Sequence, residues 1–209
     1  MKTIALISQK GGSGKTTLAV NLAVQAHRAG LRTTIVDIDS QQTATKWHDR
    51  RSGTPPPVIS AQAERLPVVL GSLSDLDLIV IDTAGKADRE ALIAARAADL
   101  ILIPTRPAIE DIEAIPRTLD IVRIATKPVY AVFNAALSRH DSRITQGTGL
   151  IMDRGLDCAP AVICQRVILA DSKIVGQAAV ELDPRCKAAC EVERLYGWVL
   201  NKLQLRAYA

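Results

Sequence analysis

Apolar residues in this chain fall in short runs separated by stretches with helical spacing. Residues 3–7 form an apolar run that feeds a glycine-rich loop. Across residues 16–29, Leu18, Ala19, Leu22, Ala23 and Ala26 then recur at helical intervals until Gly30 closes the pattern. The order is strand, loop, helix. Residues 33–36 are a β-branched run ending in Asp37-Ile38-Asp39, and residues 42–51 are polar and compatible with a helix. Gly53-Thr54-Pro55-Pro56-Pro57 breaks the chain before a short strand at 58–60. Residues 76–81 are almost continuously apolar, as a strand covered on both faces requires, and residues 100–103 and 129–133 repeat the pattern with helical segments between. In 109–123, Ile109, Ile112, Ile115, Leu119 and Val122 make one stripe, and Pro116 predicts a kink or a late helix start. In 184–203, Ala188, Ala189, Val192, Leu195, Tyr196, Val199, Leu200 and Leu203 share one side, predicting a helix docked on a sheet. This alternation predicts an α/β fold, a mostly parallel twisted sheet with helices on both faces and ligands beyond the carboxyl ends of its strands.

Composition narrows this picture. With 209 residues, 48% of them hydrophobic and 23% charged, one sizeable core is expected, so residues 1–209 read as a single domain. No run approaches about 18 apolar residues, and the first residues lack a signal-peptide pattern, so a cytoplasmic protein is expected. Cys158, Cys164, Cys186 and Cys190 form no C-x-x-C pair and read as free thiols; a metal at Cys186 and Cys190 has no nearby histidine to complete it. The net charge of +4 is mostly C-terminal: residues 127–209 hold 11 Lys and Arg against 8 Asp and Glu. That bias is compatible with a polyanionic partner without requiring one.

The chemistry concentrates in Lys10-Gly11-Gly12-Ser13-Gly14-Lys15-Thr16-Thr17. Glycines running into a helix let backbone N–H groups converge on an anion at the helix's positive end. Lys15 then faces the β/γ-phosphates, and the Thr16 hydroxyl can ligate Mg²⁺. The apolar run ending in Asp82 supplies a carboxylate for that metal, although a strand-end aspartate is equally a turn former. Asp37 and Asp39 point the same way at the end of their run, where one carboxylate can polarise water and the other support the metal; the alternative is a solvated strand end.

The general phosphate loop begins with glycine where this chain has Gln9, and Lys10 precedes the glycine pair instead. This Lys-Gly-Gly-x-Gly-Lys-Thr pattern resembles the deviant Walker A motif of the ParA/MinD family of P-loop ATPases. The resemblance implies that ATP or ADP with Mg²⁺ is held by Gly11, Gly12, Ser13, Gly14, Lys15, Thr16 and Thr17, and that Asn134 contacts adenine. It implies that Lys10 reaches the nucleotide of a partner subunit in an ATP-bound homodimer, where it stabilises transition-state charge. Asp39 is assigned to the attacking water and Asp37 to support, while Asp82 matches a Walker B carboxylate. Ser40 replaces the family's proline and leaves that segment less constrained. Residues 83–88, with Gly85 as hinge, resemble the second switch.

The resemblance extends over nearly the whole chain, and the size matches small ParA proteins without an N-terminal helix-turn-helix domain. It implies a plasmid- or chromosome-partition ATPase that is cytoplasmic and nucleoid-associated, binds nonspecific DNA as an ATP dimer, and is stimulated by a centromere-binding adaptor. Arg143, Arg166 and Lys173, with Arg185 and Lys187 behind them, are the expected DNA contacts. Alternatives are a MinD-like membrane-cycling ATPase using residues 198–206 as an amphipathic anchor, an ATPase serving another cargo such as conjugative transfer machinery, a cysteine-dependent metal-cluster carrier, and an amide-forming ligase.

Overall fold

The computed structural model describes residues 1–206. Along the chain lie β1 (Lys2–Leu6), α1 (Lys15–Arg28), β2 (Thr33–Asp37), α2 (Thr43–Asp49), β3 (Val58–Ser60), α3 (Leu66–Gly71), β4 (Leu78–Asp82) and α4 (Asp88–Ala97). They are followed by β5 (Leu100–Thr105), α5 (Ile109–Ile112), α6 (Ile115–Val122), β6 (Val129–Phe133), α7 (Ser142–Met152), β7 (Asp157–Cys158), α8 (Val167–Ile174), α9 (Ala179–Leu182) and α10 (Lys187–Leu203). The sheet has seven strands in the order β3-β2-β4-β1-β5-β6-β7. Every pairing is parallel, so the expected sheet is present and is fully rather than mostly parallel among the described residues.

Parallel strands need crossover helices, which cover both faces and bury every position of β2, β4 and β5. Successive side chains of β1 and β4 alternate between two cores. Ile4, Leu6, Leu78 and Val80 pack with α1 and the apolar side of α10, and all eight residues of the predicted α10 stripe are buried. Ala5, Ile7, Ile79 and Ile81 pack with α4 and α6 on the other face. The 109–123 stripe divides at the expected place. α5 stops at Ile112, α6 restarts with Pro116 in its first turn, and Ile109 lies half exposed outside the stripe that Ile112, Ile115, Leu119 and Val122 continue.

Register gathers the chemistry. Leu6 and Asp37 both pair with Asp82, so β1, β2 and β4 end level with one another. Their three following loops therefore meet beyond the carboxyl edge of the sheet.

Candidate nucleotide site

β1 delivers the chain into the glycine loop, and α1 begins immediately after it. Gly14 closes the loop at φ 97°, in the left-handed region, and a Cβ there would lie 1.9 Å from Asn134 Nδ2. That space lets Asn134, at the end of β6, donate its Nδ2 to the Ser13 carbonyl at 2.8 Å, while its backbone N–H donates to Thr105 at 2.8 Å. Asn134 is 5% exposed, so the amide expected to face adenine directs its nitrogen at the loop backbone. Thr105 and Asn134 thereby pin the loop from below.

Lys15 is 7% exposed and donates from Nζ to the Ser8 carbonyl at 3.2 Å. Burial draws its pKa below the usual ammonium range, while Asp82 and Asp39 act in the opposite direction. Thr16 Oγ1 donates to Asp82 Oδ2 at 2.6 Å. Asp82 is fully buried, and burial raises its pKa to about 7 despite the Thr16 hydrogen bond. Asp82 Oδ1 and Ser13 Oγ are buried without hydrogen-bond partners among the described residues. Orphaned oxygens of this kind call for a ligand, and a hydroxyl bonded to a buried carboxylate is a hard-oxygen pair suited to Mg²⁺. Among the described residues no group of three or more His, Cys, Asp or Glu could hold a metal alone. Mg²⁺ at such a site needs none, because phosphate oxygens and water complete its shell.

Asp37 is buried and faces its own following turn. Oδ1 accepts from Asp39 N–H at 3.0 Å, and Oδ2 accepts from the N–H and hydroxyl of Thr45 at 2.9 and 2.8 Å. It braces the Asp39 segment and satisfies the start of α2; these protein donors engage both oxygens expected to support a metal. Asp39 is partly exposed, accepts from Gln41 N–H at 2.9 Å, and lies close enough to act electrostatically on Lys15 and Asp82. Gly85, from the proposed second switch, approaches the Lys15 ammonium and the Gly11 backbone.

The two loop lysines part company. Lys15 turns into the cradle, whereas Lys10 is partly exposed, forms no side-chain hydrogen bond or ion pair among the described residues, and borders an open cleft of about 450 Å³ with Arg106 and Arg143.

The expected DNA contacts separate as well. Arg143 is exposed, with its guanidinium forked onto Asp141 at 2.9 and 2.5 Å. Arg166 instead pairs at 2.7 Å with Glu191, a buried carboxylate of α10 that also accepts from Cys164 N–H at 3.0 Å. A buried carboxylate demands a cation, and Arg166 supplies it. Lys173 also points inward, donating to Thr17 Oγ1 at 2.8 Å, because the C-terminal end of α8 meets the start of α1. The paired Arg166 and Glu191 line a groove of about 490 Å³ that the exposed Arg139, Arg185, Lys187 and Arg194, with His140, also border. The sequence reading named Arg185 and Lys187 second and missed Arg139 and Arg194. Arg139 comes from the β6–α7 loop and Arg194 from α10, and the one available signal was the position of Arg194 off the apolar stripe.

The cysteines are free thiols, and Cys186 Sγ accepts from Ala189 N–H at 3.3 Å to cap α10. Val199, Leu200 and Leu203, which would have formed the membrane-facing stripe of 198–206, are buried in the core, and no described helix is long and apolar enough to cross a membrane.

A parallel strand, a glycine loop, a helix whose first hydroxyl bonds a buried strand-end carboxylate, and a lysine folded into the cradle define a P-loop nucleotide-binding domain. Residues 4–208 match the CbiA family, described as the CobQ/CobB/MinD/ParA nucleotide binding domain, and the chain belongs to that family. The carboxysome distribution protein A of Gloeobacter kilaueensis is 32% identical over 97% of this chain and 94% of its own length. The chromosome-partitioning ATPase Soj of Thermus thermophilus is 27% identical over 98% and 97%. The structure of the septum site-determining protein MinD from Pyrococcus horikoshii, complexed with Mg-ADP, superposes with a TM-score of 0.78 at 20% identity, covering 95% of each chain.

Proposed function

We propose that the chain is a Mg²⁺-dependent, ParA-like partition ATPase that dimerises on ATP, binds DNA nonspecifically and is released when an adaptor stimulates hydrolysis. The coarser part, a ParA/MinD-type ATPase in partitioning or positioning, has the support of full-length relatives that carry those names. The observation that carries the finer reading is the divergence of the two loop lysines: one is buried in its own cradle, the other has no side-chain hydrogen bond or ion pair among the described residues and borders an open cleft. An ammonium at such a cleft is placed to serve a second subunit's nucleotide. Glycine amides, Lys15 and Thr17 would hold the phosphates, and Thr16 and Asp82 would hold Mg²⁺. When bound, the metal neutralises charge on the β/γ-oxygens. Asp39, the partly exposed carboxylate near Lys15, orients the attacking water. The chain's own asparagine and threonine at the ends of β6 and β5 keep the loop fixed throughout.

For DNA, Arg139, Arg185, Lys187 and Arg194 offer exposed cations around one groove, which Arg166 and its partner Glu191 also line. The carboxysome-distribution relative favours a second reading of the cargo, a large protein body instead of a plasmid or chromosome, driven by the same cycle. Co-sedimentation with random-sequence DNA tests the proposal. Binding is expected with ATP and not with ADP or without nucleotide, and it should weaken as salt rises. Nucleotide-indifferent DNA binding would remove the switch, and ATP-dependent flotation with anionic liposomes would favour membrane cycling.

A further inference from the structure

The start of α1 holds a second cation besides Lys15, supplied from α8. Lys173 lies on α8, and its ammonium makes one hydrogen bond among the described residues, to Thr17 Oγ1 at 2.8 Å, with no ion pair. Burial holds its pKa below the ordinary lysine range, with Asp82 pulling it back up and Arg50 pushing it further down. A cation at the first turn of α1, a helix of 14 residues, opposes the positive end of the helix dipole. Lys15 is already there. Two ammonium groups near the start of α1, each attracted by Asp82, with Ser13 Oγ and Asp82 Oδ1 lacking hydrogen-bond partners among the described residues, are complementary to a polyanion.

The backbone holds Lys173 in this position. Arg50 Nε donates to the Lys173 carbonyl at 3.0 Å, and Trp47 Nε1 donates to the Gln177 carbonyl at 3.0 Å. Between them Gly176, at φ 69°, lies so close to α2 that a Cβ would sit 2.6 Å from the Arg50 carbonyl carbon. The C-terminal end of α8 is therefore fastened to α2 with its lysine aimed at α1.

We propose that Lys173 is a further nucleotide-contacting residue of the same-chain site, its ammonium moving from the Thr17 hydroxyl onto the α/β-phosphate oxygens that ADP and ATP share. The inference rests on the P-loop reading and adds to it a cation from outside the loop and from the same subunit. Thr16 faces the metal side at Asp82, and Thr17, one residue on, takes the other side of the phosphate chain with Lys173 behind it. The contact is independent of the γ-phosphate. Nucleotide loading therefore ties α8 to α1 in both the ATP and ADP states.

The test compares full-length wild type, Lys173→Ala and Lys173→Arg by titration with fluorescent ADP and ATP analogues in Mg²⁺, and by thermal melting with and without ADP. Lys173→Ala is expected to weaken ADP and ATP alike by about ten- to a hundredfold, the worth of one charge-assisted contact, and Lys173→Arg should recover part of that loss. The nucleotide-free melting temperature of Lys173→Ala should equal or exceed that of wild type, because a misplaced cation has been removed. Unchanged ADP affinity would overturn the inference, as would a loss confined to ATP. A fall in nucleotide-free melting temperature together with a matching fall for Lys173→Arg would show a structural tether and also overturn it. Reduced DNA co-sedimentation with unchanged ADP affinity would return Lys173 to the DNA surface. Failure of the P-loop reading itself looks different: wild type would not bind ADP, or Lys15→Ala would bind it normally.

Discussion

Asp82 has no solvent exposure, and burial lifts its pKa to about 7 against the pull of the Thr16 hydroxyl. In the unfolded chain the same carboxyl titrates at about 3.9. Between those values the folded protein binds more protons than the unfolded one, so this group makes stability fall as pH rises from about 4 to about 7, and its effect is constant above that. Calorimetry of the nucleotide- and metal-free protein should show Asp82→Asn melting higher than wild type at pH 8, with the difference shrinking towards pH 5. Added Mg²⁺ and ADP should stabilise wild type and leave Asp82→Asn with little gain. A variant that melts lower than wild type at pH 8 would mean that the ionised carboxylate is already satisfied in the apo protein. The Asp82 carboxylate was legible from the sequence because a phosphate loop and a strand-end aspartate constrain each other. The engagement of Asp37 was not, since its partner Thr45 is eight residues on, beyond a turn whose path the sequence does not dictate. The inward partners of Arg166 and Lys173 were not legible for a related reason: a basic residue is read as solvated until a buried carboxylate or a helix start is known to lie beside it.

Between elements, the most concentrated polar contact is made by Arg51, just after α2. Its side chain is 1% exposed and forks onto Glu181 of α9 at 2.8 Å from each of two nitrogens. It also donates to the carbonyls of Gly176 at 2.7 Å, Thr54 at 2.9 Å and Pro55, and lies 4.5 Å from the centroid of the Trp47 ring. Glu181 reciprocates by accepting from Ala178 N–H at 2.7 Å. Removing one partner of such a pair strands the other, so Arg51→Met should lose about 3–5 kcal/mol in urea denaturation. Arg51→Lys, which cannot reproduce the fork, should recover little of it. Stability within about 0.5 kcal/mol of wild type for Arg51→Met would show that the contacts are dispensable. Strands and the long helices α1 and α10 were legible because their periodicities are strong. α7, β7 and α8 were not marked out. α7 contains Gly147, which is needed where Ile112 and Phe133 press against it, and glycine weakens a helical signal. β7 pairs over two residues, too few for a period to show.

For the molecule as a whole, Lys10 is the residue on which the proposed two-chain switch turns. Its ammonium leaves its own cradle, so Lys10→Ala should still bind ADP while failing to form an ATP dimer, as size-exclusion chromatography with light scattering would record. An ATP dimer of undiminished stability would show that the lysine is not a cross-subunit contact. Assembly through main-chain pairing is constrained by the sheet's borders. The outer strands β3 and β7 span three and two residues, with Pro57 directly before the first and Pro160 shortly after the second. Borders so brief, with proline close by, give another copy almost no main-chain ladder to extend. Any filament must therefore be bonded through side-chain faces, and would come apart when those faces change shape.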